Sequence, residues 1–174
     1  MAAAYVQLAA VQQARGALDQ AALDLREALA LKPDWASARR QLASVYLRQG
    51  LWFSAAGEYG KIIQMNPQLA AAVSPEAAQA SYIAGVTFQE AGRSTAAESM
   101  LRAALSYRSQ WPAARHYLAY ILAARGAWAE AEQQLQRAAA AAPADASIAE
   151  SLRRARAHEA LLEPPTDSVP RPRQ

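Results

Sequence analysis

Between Leu42 and Tyr59 the chain reads LASVYLRQGLWFSAAGEY, and most of the remaining sequence varies this theme. Leu42, Ala43 and Tyr46 mark one helical face. Trp52, Ala55, Tyr59 and Ile62 mark a second, at i, i+3, i+7, i+10. Gly50 stands between the two patterns, where the chain must reverse. Working outward, Gly16 and Gly50 are 34 apart in sequence, and Gly92 and Gly126 are again 34 apart. Ala21 and Ala55, Ala97 and Ala131, and Pro33 and Pro67 keep the same interval. Only the step from Gly50 to Gly92 is longer, at 42, an excess of eight.

A fixed period of this length identifies a stacked array. One helix pair cannot bury its apolar stripe alone, so successive pairs share a continuous core. Where the two helices of a pair cross closely, only a small side chain fits. Ala9, Ala43, Gly85 and Ala119 hold that place in the first helices, and Ala21, Ala55, Ala97 and Ala131 hold it in the second. A larger residue there would overpack the crossing, at about 1–3 kcal/mol.

The pattern resembles the tetratricopeptide repeat. The second unit carries it most fully, with Leu42, Ala43, Tyr46, Gly50, Trp52, Ala55, Tyr59 and Pro67. The fourth is close, with Leu118, Ala119, Leu122, Gly126, Trp128, Ala131, Leu135, Ala138 and Pro143. The first departs at Gln12, where an aromatic is usual. The third has Ala84, Gly85, Phe88, Gly92, Ala97, Leu101 and Ala104, but Ser94 and Ser109 replace a bulky residue and a proline. The resemblance implies an all-α fold: an alpha-alpha superhelix, or solenoid, of four helix pairs over residues 2–162, with a C-terminal capping helix. Its units are expected at about 2–35, 36–69, 75–111 and 112–145, with the cap at 146–162. An insert lies at about 70–77, and a disordered tail at 163–174. Ser74-Pro75-Glu76 reads as a helix start near Pro75. The insert is then either a tolerated helix extension or a hinge. Asp145-Ala146-Ser147 reads as the start of the cap, whose Ile148, Leu152, Ala155 and Leu162 cover the fourth unit. Arg153 and Arg156 give it a polar outer face.

Composition narrows the function. The chain has no cysteine, which removes thiolate metal sites and cysteine nucleophiles. The net charge of +3 is too small to imply nucleic acid. No apolar run approaches the roughly 20 residues of a membrane span. The start, Met1-Ala2-Ala3-Ala4-Tyr5, is no signal peptide, and it opens inside a helical pattern. This suggests a piece of a longer protein or a missing leader, in the cytoplasm or periplasm of a bacterium, given the alanine- and arginine-rich composition. His116 and His158 lack metal-ligand spacing, and no Walker loop or nucleophile elbow is present. Glu27, Glu58 and Glu98 read as solvated helix faces. No catalytic residue, cofactor or metal is expected, and the chain is read as a non-enzyme.

The resemblance implies instead a protein or peptide partner lying along the first helix of each pair, in a concave groove. Carried over, the groove takes Val6, Ala10 and Gln13, then Arg40, Gln41, Ser44 and Arg48. The third unit contributes Gln79, Tyr82, Val86 and Gln89, and the fourth His116, Tyr117 and Tyr120. The cap adds Glu150, Arg154 and His158. The tyrosines read either as packing against a neighbouring helix or as an aromatic anchor. Arg40 and Arg48 are solvated charges or selectors of acidic groups. The lysine–asparagine clamp for chaperone carboxylates is missing, since Val6, Ala10, Gln41, Gln79 and Ile83 hold its places. The expected role is a protein-interaction scaffold, as in assembly factors of bacterial envelope, secretion, pilus or polysaccharide systems. The alternative is a homo-oligomerising spacer or a domain of a larger protein, with Phe53 as a self-association contact and a monomer or weak homodimer in solution.

Overall fold

The computed structural model describes residues 1–164. Among them the secondary structure is entirely helical. The helices are α1 (Ala2–Ala14), α2 (Leu18–Leu31), α3 (Ala36–Arg48), α4 (Trp52–Met65), α5 (Ala70–Glu90), α6 (Ser94–Tyr107), α7 (Pro112–Ala124), α8 (Trp128–Ala141) and α9 (Ala146–Arg156). They form two compact bodies, Met1–Ala80 and a second from Ser81 onward, with the boundary inside α5.

The turns explain the glycine register. Gly16, Gly50, Gly92 and Gly126 all adopt left-handed backbone, with φ between 71° and 83°. At Gly50 the amide of Leu51 donates to the Tyr46 carbonyl (2.9 Å) and that of Gly50 to Leu47 (3.1 Å). The three other turns repeat the pair of bonds. This is a Schellman ending, whose left-handed position a β-carbon disfavours.

In the first body, Ala9, Ala21, Leu25, Ala38, Leu42 and Val45 form a buried cluster, with Trp35 and Tyr46 packed on its edge. In the second, Leu101, Leu118, Leu122, Leu135 and Ile148 are buried together with the crossing residues Ala97, Ala119 and Ala131. Gly85 marks a crossing with no room for a side chain. A β-carbon there would lie 2.9 Å from Leu101 Cγ and 3.2 Å from the Ala97 carbonyl oxygen.

Three expected boundaries are corrected. The helix expected to start near Pro75 starts at Ala70, after a single 3-10 turn over Pro67–Leu69. Asn66 caps that turn by accepting from the Gln68 amide at 3.2 Å. The run Ala70-Ala71-Ala72 then carries the helix straight through Pro75. The proline cannot donate to the Ala71 carbonyl, but Ala71 is exposed, so water can satisfy it. The capping helix begins at Ala146, with Asp145 accepting from the amides of Ser147 and Ile148 (2.9 and 3.2 Å). It ends at Arg156, not near Leu162, because His158 turns the chain with φ 55°. Leu162 therefore lies beyond the helix and is 58% exposed. Of the tail expected to be disordered, Glu163 and Pro164 are placed, and the rest lies outside the described residues. No helix among the described residues is long and apolar enough to cross a membrane.

Candidate partner-binding site

In the first body the expected groove residues lie on α3. Arg40, Ser44 and Arg48 are exposed about one turn apart, and Gln41 is half-buried beside them. Arg40 already has an acidic partner, since its Nη2 donates to Glu76 Oε1 at 2.6 Å. The buried Tyr59 feels both members of the pair. Burial raises its phenol pKa, Glu76 adds to the rise, and Arg40 opposes it. Phe53 is 57% exposed at the start of α4.

In the second body the arrangement is inverted, and several expected surface residues are core. Tyr82, Val86, Tyr117 and His116 are all buried. Aromatic packing accounts for this. The Tyr82 ring lies 4.7 Å from that of Trp111 and meets Tyr117 edge-on at 6.4 Å, and Tyr117 meets Tyr120 at 6.0 Å. Tyr120 and Gln89 keep partial exposure. His116 lies 2.7 Å from the hydroxyl of Ser151 on α9. Burial lowers its pKa, and the nearby Asp145 carboxylate only partly opposes this. The Tyr117 hydroxyl donates to Glu163 Oε1 at 3.1 Å. Its pKa is raised, first by burial and then by the Glu163 carboxylate, with Glu90 and Tyr82 adding to it. Arg154 is engaged within its own body, donating to Glu150 at 2.7 Å and to the Ala160 carbonyl at 3.2 Å. Arg153 and Arg154 together hold the Glu150 pKa down to about 2.

Two carboxylates expected to be solvated are buried instead. Glu58 accepts from Arg39 at 2.6 Å and from Lys61 at 2.7 Å. Glu98 pairs with Arg102 and Arg125. Each buried carboxylate is thus matched by cationic neighbours. Arg39 also donates to the Pro33 carbonyl at 2.7 Å, tying α3, α4 and the preceding loop together. The fourth pair repeats the device with different chemistry. Arg115 donates to Gln134 Oε1 (2.6 Å) and to the Ser109 carbonyl (2.7 Å). No group of three or more acidic, histidine or cysteine side chains among the described residues is arranged to hold a metal ion.

With this geometry established, residues 88–155 match the model of the tetratricopeptide repeat family. That stretch is similar to the tetratricopeptide repeat. Solved repeat structures share the fold at low identity. A crystal structure of MamA protein aligns at 18% identity, over 90% of this chain and 81% of that one, with a TM-score of 0.57. YrrB aligns at 19% over 88% and 75%, with a TM-score of 0.55. MamA residues 41 to the end, from Desulfovibrio magneticus RS-1, align at 16% over 90% of each chain, with a TM-score of 0.51. None of the curated proteins matches the sequence. Tetratricopeptide repeats bind protein or peptide partners, and proteins built from them are generally interaction scaffolds rather than enzymes.

Proposed function

We propose that this repeat chain is a scaffold that binds a segment of a partner protein along its first helices. The observation that carries this reading is the exposed row Arg40, Ser44 and Arg48 on α3, which the local core does not need. In the second body the partner would meet Tyr120 and Gln89, while Tyr82, Tyr117, Val86 and His116 shape that surface from beneath. YrrB, a tetratricopeptide protein with an unusual peptide-binding site, lends the reading support by its similar fold. An assembly factor of a bacterial envelope, secretion, pilus or polysaccharide system is the setting we favour.

The test uses the full chain as bait, with Arg48→Glu and Tyr120→Ala tested separately. A partner captured by the unaltered chain should bind each variant at least about tenfold more weakly, a loss of about 1.4 kcal/mol, with helicity unchanged. Unaltered affinity for both variants overturns the reading. A second reading rests on the exposed Phe53, with Leu51 also exposed nearby. Here the chain is a self-associating spacer, and light scattering at high concentration would find a dimer that Phe53→Ser abolishes.

A further inference from the structure

Helix α9 stands where the first helix of a fifth pair would stand, and no second helix follows it among the described residues. It ends with the same bonds as the other first helices: Glu159 N–H to the Arg154 carbonyl at 2.9 Å, and His158 N–H to Ala155 at 3.2 Å. His158 occupies the left-handed position that glycine holds elsewhere. It is secured there by stacking on Trp128, with centroids 5.3 Å apart and an interplanar angle of 15°. Arg153 reaches Glu159 at 3.1 Å, and Arg154 holds the Ala160 carbonyl. The chain is thus reversed as if to begin another helix, but residues 159–164 form none.

The segment instead returns to α7. Glu163 accepts the hydrogen bond of Tyr117, 46 residues away, and Pro164 is buried, whereas Leu162 points to solvent. An acidic residue and a proline therefore make the anchor, and the apolar leucine does not. Proline favours an extended conformation for the residue before it, which pre-sets Glu163 for this seat. Glu163 is itself exposed, so its hydrogen bond to Tyr117 can open to water.

We propose that Glu163–Pro164 is a resident pseudo-ligand, and that its seat on α7 recognises an extended partner segment carrying an acidic residue followed by proline. This rests on the protein-binding reading above, and it adds the chemistry of the ligand and a barrier to its entry. A partner segment must displace the chain's own, which competes from a tethered, roughly millimolar effective concentration.

A fluorescein-labelled hexapeptide of the sequence at residues 159–164, EALLEP, tests this by anisotropy on the full chain. The double variant Glu163→Ala, Pro164→Ala should bind it at least about tenfold more tightly than the unaltered chain does. Adding Tyr117→Phe to that variant keeps the ring packing and removes the donor, and should weaken binding about fivefold. Equal binding with and without the resident segment overturns the proposal, as does failure of the vacated chain to bind at all. The scaffold reading is scored separately, by loss of captured partner on Arg48→Glu. A chain that passes that test and fails this one keeps its function and loses its pseudo-ligand.

Discussion

Helices α3 and α7 occupy equivalent places in the second and fourth pairs, and they present opposite surfaces. Arg40, Gln41, Ser44 and Arg48 of α3 correspond to His116, Tyr117, Tyr120 and Ala124 of α7. The first set is polar and mostly exposed, while His116 and Tyr117 are buried. Both helices nevertheless use the leading position alike. Arg40 reaches Glu76 on the next first helix, and His116 reaches Ser151 on the next first helix. The register thus fixes who meets whom, and the local cover decides whether that meeting is wet or dry. A surface position in a repeat is defined by the helix stacked after it, not by its number in the motif.

Removing one side chain from each helix breaks the comparison most sharply. Tyr117 has no exposed surface, so Tyr117→Ala should cost about 3–5 kcal/mol in denaturant unfolding. Gln41→Ala, at the equivalent position, should stay within about 0.5 kcal/mol. Similar losses for the two would mean that α3 is covered as α7 is.

A smaller difference lies one position before these faces. Arg39 and Glu58 are each only 11% exposed at their side chains, so Glu58→Ala strands a nearly buried guanidinium. The expected loss is about 3–5 kcal/mol at that site's upper limit, reduced where Arg39 can turn to water. Gln134→Ala removes a neutral acceptor from Arg115 and should cost about 1 kcal/mol. Glu58→Gln recreates the fourth-pair chemistry in the second pair and should fall between these values. Burial already lowers the Arg115 pKa, with Arg137 adding to the effect, which fits a cation whose main partner is an amide.

The pH dependence separates the helices next. His116 has a folded-state pKa below its usual 6.5, so the unfolded chain binds its proton more readily. Its contribution to stability is therefore complete above pH 6.5 and is lost as pH falls through that value toward the folded pKa. The loss should approach about 1.4 kcal/mol per pH unit in that window. His116→Gln should flatten the stability profile between about pH 7 and 5 in a urea titration. Its counterpart on α3 is an arginine and not an imidazole, so Arg40→Gln should leave the slope unchanged.

The array itself was legible because its signals are local and periodic. Glycines and crossing alanines report their own backbone and recur at one interval within each half of the chain, and Pro33 and Pro67 keep that interval in the first half. The expected helix end near Leu162 failed because His158 supplies a turn that glycine supplies elsewhere, while Leu161 and Leu162 prolong the apolar pattern. The start expected at Pro75 failed because an alanine run and the Asn66 cap outweighed a competing cap signal. The candidate surface was half legible. Spacing put Tyr117 and Tyr120 on one side of α7, but Tyr117 packs on Tyr82 of another helix and bonds Glu163, far along the chain. The Arg39–Glu58 and Arg115–Gln134 ties were missed, although Arg115 stands in register with Arg39 and Gln134 with Glu58. Aligning the polar residues by register, like the small ones, exposes both ties.

The smallest expected effect bears most directly on binding. The Arg40 and Glu76 side chains are 52% and 34% exposed, so their bond at 2.6 Å is a surface ion pair, worth about 0–1 kcal/mol. A double-mutant cycle with Arg40→Ala and Glu76→Ala should return a coupling in that range, shrinking as salt is raised. A coupling this weak leaves Arg40 available: an acidic group on a partner can take over the guanidinium at little cost to the fold. The same two substitutions should then separate in binding. Glu76→Ala frees the arginine and should strengthen capture of an acidic partner slightly, whereas Arg40→Ala should weaken it. Equal effects of the two on affinity would show that the pair acts as one neutral unit, and that selection on α3 falls to Arg48 alone.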